Sequence, residues 1–556
     1  MIKYYSLGGQ DERFRYCGVL DINGEVFLLN AGGSCVNTNL YDVEEIIPNY
    51  QHLVPIQKKI KGLFIGVPKE LNICSIPYLL DVFPELPIYT NSFGESVIRS
   101  FLKRFESVKG KKYAPNIVAL NLVSEHSISS ECKVMPIKVA ASLPNSLAWA
   151  FRFSNSDHVV FIDEFLVASE NLPCRENQLN VLFQNLKSKV SLLIVGTQSV
   201  STVPSFALKQ ADNYSYLKKI VSRISSRLVV AIYLDDWHTL FNLSRIAYVY
   251  DSELCIYPSE LSERFNSFLE QNKLREYSPS VSPENAQGPK EDRIQICVIT
   301  GTHNTLYENL RKIQRGEEES LKISNKDVVI FMNYTFIEKE PEEISVINDL
   351  AQQGGEVLKV PSTFAPYMAG SEDLMLLVNY LMPYNVVPVN GFYKDYVEFT
   401  KSMENVMNTK KIFFLENGQC LHLDRKSSSV EDNTIPEIYV GGQEILDINR
   451  ITLYERKLLA QSGVILVSLR CNSKKNLISV PKVQLLNVFA KDYLKTEEAI
   501  EEIQSKLKID LSKYLQFNPE MDNKTLKQTV RKSIYNSLDQ FMHKKPAVLS
   551  IVSHLS

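Results

Sequence analysis

The turn within residues 62–80, GLFIGVPKELNICSIPYLL, carries the most informative side chains of the chain. An apolar run typical of a buried strand leads into it, and an apolar-rich stretch typical of a helix follows. Between them, Lys69 and Asn72 alternate with Val67 and Leu71. Valine and leucine have no lone pair to donate, a lysine ammonium repels a divalent cation, and an asparagine amide is a weak neutral ligand. Such a turn cannot hold a catalytic metal ion, and taken alone it also fits an ordinary strand and helix of an α/β protein.

Two further groups of residues have the types needed for catalysis or binding. Asp235, Asp236 and His238 form a compact cluster that would suit a single metal ion or acid–base chemistry, although a hydrogen-bonded structural histidine is the preferred interpretation. The turn with Thr302 and His303 follows an apolar run and opens a helix, where backbone amides suit phosphate. Because glycine-containing turns after strands are common in α/β folds, this turn also fits a purely structural role.

Several segments resemble, in order along the chain, motifs of the ribonuclease J enzymes, which belong to the β-CASP branch of the metallo-β-lactamase superfamily. Asn30, in VFLLNAG, stands where the family usually has aspartate. In the family the turn described above reads T-H-x-H-x-D-H, and its metal ligands correspond to Val67, Lys69, Leu71 and Asn72. Other functional positions are altered while their apolar neighbours are kept. In IKVAASLPNS, which resembles the family's T-H-S-I-P-D-S, Ala141 replaces the histidine and Asn145 the aspartate. The further altered positions are Glu164 in VVFIDEF (family T-G-D-F), Met368 in STFAPYMAG (family H-T-S-G-H-G) and Asn390 in VPVNGFY (family M-P-I-H-G-E-Y).

The resemblance covers nearly the whole chain and implies an α/β fold, namely a metallo-β-lactamase αββα sandwich with an inserted β-CASP α/β domain and a small α+β C-terminal domain. The first and second metallo-β-lactamase-like parts would span residues 1–196 and 363–425, and the β-CASP-like insertion 197–362. A linker is predicted over 426–437, which begins with the polar run KSSSVEDN, and the C-terminal domain over 438–556. In the family this last domain supports oligomerisation, so we expect the chain to assemble.

Family members use two divalent metal ions, zinc or manganese/magnesium, whose ligands are absent here. The resemblance therefore implies a catalytically inactive or strongly impaired ribonuclease J paralogue without a cofactor. We expect it to act in RNA processing and mRNA decay as an assembly or regulatory partner of an active ribonuclease J. The alternatives are a weak metal-dependent exo- or endoribonuclease and a free-standing RNA-binding protein. The candidate RNA contacts are His238, Thr302, His303 and Ser362.

A former metal pocket keeps its shape only if its remaining charges are compensated. Glu164 would otherwise be a buried, unpaired carboxylate, at a cost on the order of several kcal/mol. Lys69 stands at a ligand position on the facing turn, so we predict that its ammonium pairs with Glu164 in place of metal charge. The alternative is that Lys69 extends to solvent.

The composition is that of a large globular protein. The chain has 556 residues, 44% of them hydrophobic, and a net charge of −3. It can therefore bury a large core in two or three domains, and its charge argues against a strongly basic surface overall while leaving room for a local basic groove. Nine scattered cysteines without a C-x-x-C pair predict buried free thiols in a reducing cytoplasm. With no secretory signal pattern and no apolar run near the roughly 20 residues of a membrane span, we expect a soluble cytoplasmic protein that does not contact membranes.

The last helical pattern of the chain has an apolar stripe and a basic face. Residues of the stripe recur at helical spacing, and they are Leu526, Val530, Ile534, Leu538 and Phe541. The cations off this stripe are Lys524, Lys527, Arg531 and Lys532. A solvated basic face is the simplest explanation, and a contact with RNA or a partner protein is the alternative.

Overall fold

The computed structural model describes the chain apart from residues 36–41, 121–123, 154–156, 168–172, 174–177, 202, 204, 208–210, 225–226, 288–293, 304, 334–338, 361–367, 409–410, 425–426, 443, 473–476, 490–492, 518–521, 540, 543–544 and 556. The chain divides into two compact units. The first comprises Met1–Asn37 and Glu44–Ile445, and the second Thr38–Val43 and Leu446–Ser556. No helix among the described residues is long and apolar enough to cross a membrane.

The amino-terminal part of the first unit alternates short strands with helices. Its strands are β1 (Ile2–Ser6), β2 (Gly18–Ile22), β3 (Glu25–Leu29), β4 (Ser34–Cys35), β5 (Glu45–Ile47), β6 (Ile60–Phe64), β7 (Pro87–Thr90), β8 (Asn116–Ala119), β9 (His126–Ser127), β10 (Lys133–Lys138), β11 (Leu147–Arg152), β12 (His158–Ile162) and β13 (Val190–Gly196). Its helices are a 3₁₀ helix (Tyr50–Lys59), α1 (Glu70–Ile73), α2 (Ile76–Val82), α3 (Ser92–Lys109) and α4 (Leu179–Leu186). Local sequence sets the bounds of α3, because the Asn91 side chain accepts a hydrogen bond from the backbone of Gly94 at its start and Gly110 adopts a φ of +68° at its end.

A parallel sheet with its own helices follows. Its strands are β14 (Arg227–Tyr233), β15 (Glu253–Tyr257), β16 (Ser280–Val281), β17 (Gln295–Gly301), β18 (Val328–Phe331) and β19 (Glu356–Lys359), in the order β16-β15-β17-β14-β18-β19. The helices of this part are α5 (Ala211–Val221), α6 (Trp237–Val249), α7 (Ser259–Gln271), α8 (Leu306–Gln314) and α9 (Glu340–Gln352). All residues of β17 are buried, as expected for a strand covered on both faces by helices.

Two mixed sheets pack face to face in the rest of the first unit. The elements that complete them are α10 (Ser371–Leu381), β20 (Val386–Val389), α11 (Tyr393–Met403), β21 (Cys420–Leu423) and β22 (Ser428–Glu431). The larger sheet has the order β22-β21-β1-β2-β3-β6-β7-β8 and the smaller β20-β13-β12-β11-β10-β9. Phe27 and Phe64 of the first meet Trp149 and Phe151 of the second, with ring centroids 5.3 Å apart for Phe64 and Trp149.

Helices cover the outer faces of these two sheets. Apolar side chains of α2 and α3 pack on the larger sheet, and those of α4, α10 and α11 pack on the smaller. Strands β13 and β20 are parallel neighbours, although the sheet of β14 to β19 lies between them in sequence. The parallel sheet is therefore an insertion between two adjacent strands of the six-stranded sheet.

The predicted linker over residues 426–437 needs correction, because part of it is a strand. β22 pairs antiparallel with β21 at the edge of the eight-stranded sheet, and its side chains are exposed. An edge strand needs one backbone partner and no buried side chain, so a polar, serine-rich run can form it. Strands β23 (Ile438–Gly441) and β24 (Glu444–Leu446) follow, and β23 pairs with β5.

The second unit is a three-stranded sheet with helices. Its elements are α12 (Arg450–Ser462), β25 (Val464–Asn472), β26 (Lys482–Leu486), α13 (Tyr493–Phe517), α14 (Asn523–Leu538) and β27 (Ala547–Leu555), and its strand order is β26-β25-β27. The predicted apolar stripe is confirmed for the four positions within α14, which are buried with residues of α13. The cations of its basic face are exposed, and they are Lys524, Lys527, Arg531 and Lys532.

Candidate functional site

The candidate site forms where four strands of the first unit end. Asn30 follows β3, residues 65–72 follow β6, Asp163 and Glu164 follow β12, and Asn390 follows β20. β3 and β6 are parallel neighbours, and β12 and β20 both run parallel to β13, so the carboxyl ends within each pair share one sheet edge. Ligand sites of α/β proteins lie at such edges. Asn30 and Asn390 have left-handed backbones, with φ of +61° and +60°, a conformation that asparagine adopts more readily than most residues.

Asp163 is the centre of a buried ring of amides. Its carboxylate accepts hydrogen bonds from the side-chain amides of Asn30 (2.9 Å), Asn72 (2.6 Å) and Asn390 (3.1 Å). Burial raises the pKa of Asp163, whereas the Lys69 ammonium and the amides of Asn390 and Asn30 act to lower it. The amide donors thus supply the carboxylate with partners that water or a metal ion would otherwise provide.

Lys69 and Glu164 form a buried ion pair. Their side chains are 3% and 1% exposed, and the Lys69 ammonium donates a hydrogen bond to Oε1 of Glu164. The other carboxylate oxygen, Oε2, accepts a hydrogen bond of 2.8 Å from the Ser142 hydroxyl. Burial acts to lower the pKa of Lys69, but the carboxylates of Glu164, Asp163 and Asp235 outweigh it and raise that pKa above its ordinary value. The contact confirms the predicted pairing of Lys69 with Glu164.

The donor set of the site does not fit a pair of catalytic metal ions. The polar groups that face Asp163 and Glu164 are an ammonium, amide nitrogens and a hydroxyl, which donate hydrogen bonds to the carboxylates. Val67, Leu71 and Ala141 are buried and apolar. Hydrolytic zinc sites need several imidazole and carboxylate ligands together, and the described part of the chain contains no group of three or more histidine, cysteine, aspartate or glutamate side chains placed to hold a metal ion.

Comparisons with known proteins point to one family. Residues 451–555 match the ribonuclease J C-terminal domain. The chain is 28% identical to the uncharacterized protein MG423 of Mycoplasma genitalium, and 23% identical to ribonuclease J 2 of Streptococcus pyogenes, with 99% of both chains covered in each case. It is also 21% identical to ribonuclease J of Mycoplasma genitalium, over 86% of this chain and 84% of that one.

The chain is related to ribonuclease J proteins over nearly its whole length. Its fold also resembles a solved structure of a protein of unknown function from Enterococcus faecalis V583, with a TM-score of 0.53 and 10% identity over 75% of this chain and 99% of that one.

In this ribonuclease J relative, the inserted parallel sheet adds three residues to the site. A small cavity beside Lys69 is lined by Asp235, Thr302 and His303, which follow β14 and β17. Burial raises the pKa of Asp235 to about 6, with Lys69 opposing and Glu164 reinforcing the shift. The ring of His303 is stacked on Tyr233, 4.4 Å between centroids, and burial together with Lys69 lowers its pKa to about 3. His303 is therefore a neutral wall of the cavity near pH 7.

His238 is a core residue, which corrects its selection as a candidate RNA contact. Asp236 caps α6 by accepting a hydrogen bond from the backbone of Thr239, and this start places His238 on the buried side of the helix. The ring is fully buried, with Nε2 3.0 Å from the side-chain nitrogen of Asn242. The preferred interpretation of a hydrogen-bonded structural histidine is confirmed. Asp235 does not join His238, because it lines the cavity beside Lys69.

The other candidate RNA contacts differ in how far they are exposed. Thr302 is half-buried beside the cavity, and its backbone donates a hydrogen bond of 2.8 Å to the Thr305 hydroxyl just before α8. His303 is only 7% exposed, so a bound RNA would reach little of its ring. Ser362 lies outside the described residues. Lys69, Glu164, Ser142, Asp163 and the three asparagines bonded to Asp163 form what we call the Lys69 cluster. Met368 is half-buried, and no hydrogen bond or ring contact joins it to this cluster in the described structure.

Sequence reasoning missed the central role of Asp163 and the contribution of Ser142. Asp163 stands one residue before Glu164, which occupies the aspartate position of the family's T-G-D-F motif. A signal was nevertheless present, because Asn30, Asn72 and Asn390 are all amides at positions where the family has aspartate or histidine. Buried amides need hydrogen-bond acceptors, and the Asp163 carboxylate next to Glu164 is one that several of them can share.

Proposed function

We propose that this chain is a metal-free ribonuclease J paralogue that assists an active ribonuclease J in RNA processing and decay without hydrolysing RNA itself. The observation that carries the proposal is the Lys69 cluster. Both buried carboxylates of the site already have their charge and hydrogen-bonding capacity taken up by an ammonium, three amides and a hydroxyl. A water molecule has no metal there to lower its pKa, so the nucleophile of the family's reaction is not generated.

Electrostatics argues further against a resident divalent ion. A cation next to Asp163 and Glu164 would lie within a few ångströms of the Lys69 ammonium, which is buried and held in its charged form by three carboxylates. Repulsion between charges at such distances is poorly screened in a buried site. Binding would require Lys69 to move or to lose its proton.

The architecture supports the finer family assignment. Two facing sheets with helices outside them fit a metallo-β-lactamase αββα sandwich, and the parallel sheet inserted between β13 and β20 fits a β-CASP domain. We propose the corresponding boundaries at residues 1–196, 197–362 and 363–425, followed by the C-terminal domain over 438–556.

The proposed partner is an active ribonuclease J. Mycoplasma genitalium has both an MG423 protein and a ribonuclease J, and the present chain is related to both. A chain that keeps the C-terminal domain of the family but replaces the metal ligands is suited to assemble with such an enzyme. RNA is the second proposed partner.

Metal analysis and mixing together test the proposal. We expect protein purified without chelator to contain far less than one zinc or manganese ion per chain and to leave a 5′-monophosphorylated RNA intact. Mixed with an active ribonuclease J, it should form a complex of higher mass whose turnover differs from that of the enzyme alone. Two tightly bound metal ions per chain, or the absence of any complex, would refute it.

A weak single-metal ribonuclease is the second candidate, and one observation favours it. The Oδ1 atoms of Asn30 and Asn72 are buried and accept no hydrogen bond from the described residues. Turning these amides would direct both oxygens toward Asp163, and such oxygen ligands suit magnesium or manganese. A manganese titration followed by electron paramagnetic resonance separates the two candidates, because one bound ion per chain, lost in Asp163→Asn, is expected only of the nuclease.

A further inference from the structure

An apolar seam joins the inserted parallel sheet and its helices to the rest of the first unit. Side chains from both parts belong to one continuous cluster of buried apolar residues. From the part with the two facing sheets, called the two-sheet part below, the cluster includes Val67, Phe93, Ala141 and Leu143. From α6 and α7 of the insertion it includes Trp237 and Phe268. The two parts therefore meet through a shared core, and we call these six residues the seam.

Phe93 makes ring contacts across the seam. Its ring centroid lies 4.9 Å from that of Trp237 and 5.6 Å from that of Phe268, and both contacts are edge-to-face. Aromatic pairs of this geometry stabilise a structure beyond the apolar area that they bury. Phe93 belongs to α3 of the two-sheet part, and both of its partners belong to the insertion. Separating the two parts would therefore expose apolar surface of all three rings to water.

Two of the altered family positions contribute to the seam. Val67 and Ala141 are fully buried members of the apolar cluster, and both correspond to metal ligands in the family. A ligand side chain needs a charged ion as its neighbour, whereas an unpaired polar group among apolar side chains is costly. The apolar residues at these positions therefore do more than remove metal ligands, because they also extend the contact surface for the insertion.

Polar contacts between α3 and α7 accompany the seam. Arg264 donates a hydrogen bond to the Ser100 hydroxyl, and the Arg104 guanidinium lies 3.8 Å from Glu260. The side chains of Arg104 and Glu260 are both 40% exposed, and ion pairs at such exposure contribute little to stability. The apolar rings of the seam therefore make the main contribution to the contact between the two parts.

The seam leaves little space beside Lys69. The small cavity described above is lined by Lys69 and Leu143 from the two-sheet part and by Asp235, Trp237 and His303 from the insertion. Its volume is about 30 Å³. This is about the volume that one molecule occupies in liquid water. The cavity admits a water molecule, whereas a nucleotide would require the two parts to move apart.

We propose that the seam holds the insertion permanently against the two-sheet part, so that the Lys69 cluster stays closed to ligands in the folded protein. Val67 and Ala141 then serve as contact residues for the insertion. The inference goes beyond the proposed function, because the loss of metal ligands alone would leave the two parts free to separate. It predicts that the Lys69 cluster is reached only when the whole first unit unfolds.

Hydrogen exchange of the full chain, followed by mass spectrometry at increasing urea below the unfolding midpoint, tests the proposal. The amides of residues 65–73 report on the former metal site and those of residues 237–249 on α6, while amides of β3 and β12 report unfolding of the two-sheet core. The urea dependence of exchange rises with the surface that an opening exposes, so local and global opening can be told apart. In the unaltered chain we expect residues 65–73 and 237–249 to show the same urea dependence as β3 and β12.

Phe93→Ala removes the ring contacts of the seam, and Phe105→Ala is the matched control. Phe105 lies on the same helix and is similarly buried, and its ring neighbours in the two-sheet part are Tyr78, Phe101 and Tyr113. We expect Phe93→Ala to speed exchange of residues 65–73 and 237–249 at least about tenfold and to reduce its urea dependence to about half, because the two parts can now separate locally. Phe105→Ala should speed exchange of all these segments together and leave their urea dependence unchanged. Should Phe93→Ala not fold, Phe93→Leu keeps an apolar side chain without the ring and should show the same change to a smaller extent.

A weak urea dependence at residues 65–73 in the unaltered chain would mean that the site opens while the core stays folded, and it would overturn the proposal. So would variants at Phe93 and Phe105 that change exchange in the same way. Metal content and complex formation are measured separately on the unaltered chain, so either result would leave the proposed function to its own test.

Discussion

Replacing Lys69 with methionine removes the cation that compensates two buried carboxylates. Because Lys69 and Glu164 are 3% and 1% exposed, water cannot take the place of the ammonium without opening the site. Among the described residues, the remaining hydrogen-bond donors would be the Ser142 hydroxyl for Glu164 and the three amides for Asp163. Breaking a buried pair from one side costs about 3–5 kcal/mol, and we expect Lys69→Met to lower the free energy of unfolding by that amount.

The double variant distinguishes a pair from two independent residues. Glu164→Gln alone leaves Lys69 with Asp163 nearby and should cost less than Lys69→Met. When both are changed, neither charge is left unpaired, so the combined loss should fall short of the sum by about 1–3 kcal/mol.

Urea unfolding followed by tryptophan fluorescence measures these differences in the first unit alone, because Trp149 and Trp237, the two tryptophans of the chain, both belong to it. Lys111 and Asp81 form a matched control, since this ion pair is 54% and 33% exposed. Lys111→Met should cost no more than about 1 kcal/mol. Losses that add to within about 0.5 kcal/mol for Lys69→Met and Glu164→Gln would refute the pairing.

Three further predictions concern titration and the amide ring. Burial and the neighbouring Glu70 raise the pKa of Glu45 to about 7, so the folded state keeps a proton that the unfolded state loses above about pH 4.5. The free energy of unfolding should therefore fall as the pH rises from about 4.5 to about 7. Glu45→Gln should reduce this pH dependence in unfolding curves measured at several pH values. Burial lowers the pKa of His303 to about 3, so below about pH 6.5 the unfolded state binds a proton that the folded state does not, and the free energy of unfolding falls. His303→Phe should reduce this acid sensitivity of thermal unfolding. Asn72→Ala removes the 2.6 Å hydrogen bond to Asp163 and should cost about 1–3 kcal/mol in urea unfolding, whereas an unchanged midpoint would mean that the amide does not stabilise the carboxylate.

The sequence predicted those features of the site that follow from a single energetic requirement. A buried carboxylate at Glu164 needs a cation, and Lys69 was the cation on the facing turn, so their pairing could be inferred from the two residues. The free, buried state expected for the cysteines is likewise confirmed for six of them, namely Cys17, Cys74, Cys132, Cys255, Cys297 and Cys471. Cys420 is also free but only half-buried.

Features that depend on how distant strand ends come together could not be predicted in this way. Asp163 receives amides from residues that lie 133, 91 and 227 positions away in sequence. Asp235 stands beside His238 in sequence, but it borders the Lys69 cavity while His238 faces the core, because α6 begins between them. The β22 strand was missed because edge strands need no apolar pattern.

Backbone conformation favours asparagine at three of the altered family positions. Asn30, Asn145 and Asn390 all have left-handed backbones, with φ of +61°, +56° and +60°. A branched apolar residue would be strained in that conformation, whereas asparagine adopts it at low cost. Val67 and Ala141 are not among the positive-φ residues, and apolar side chains fit there. At Asn30 and Asn390 the amides that the backbone permits are also those that donate to Asp163, so the geometry of the strand ends and the need to satisfy a buried carboxylate favour the same residue.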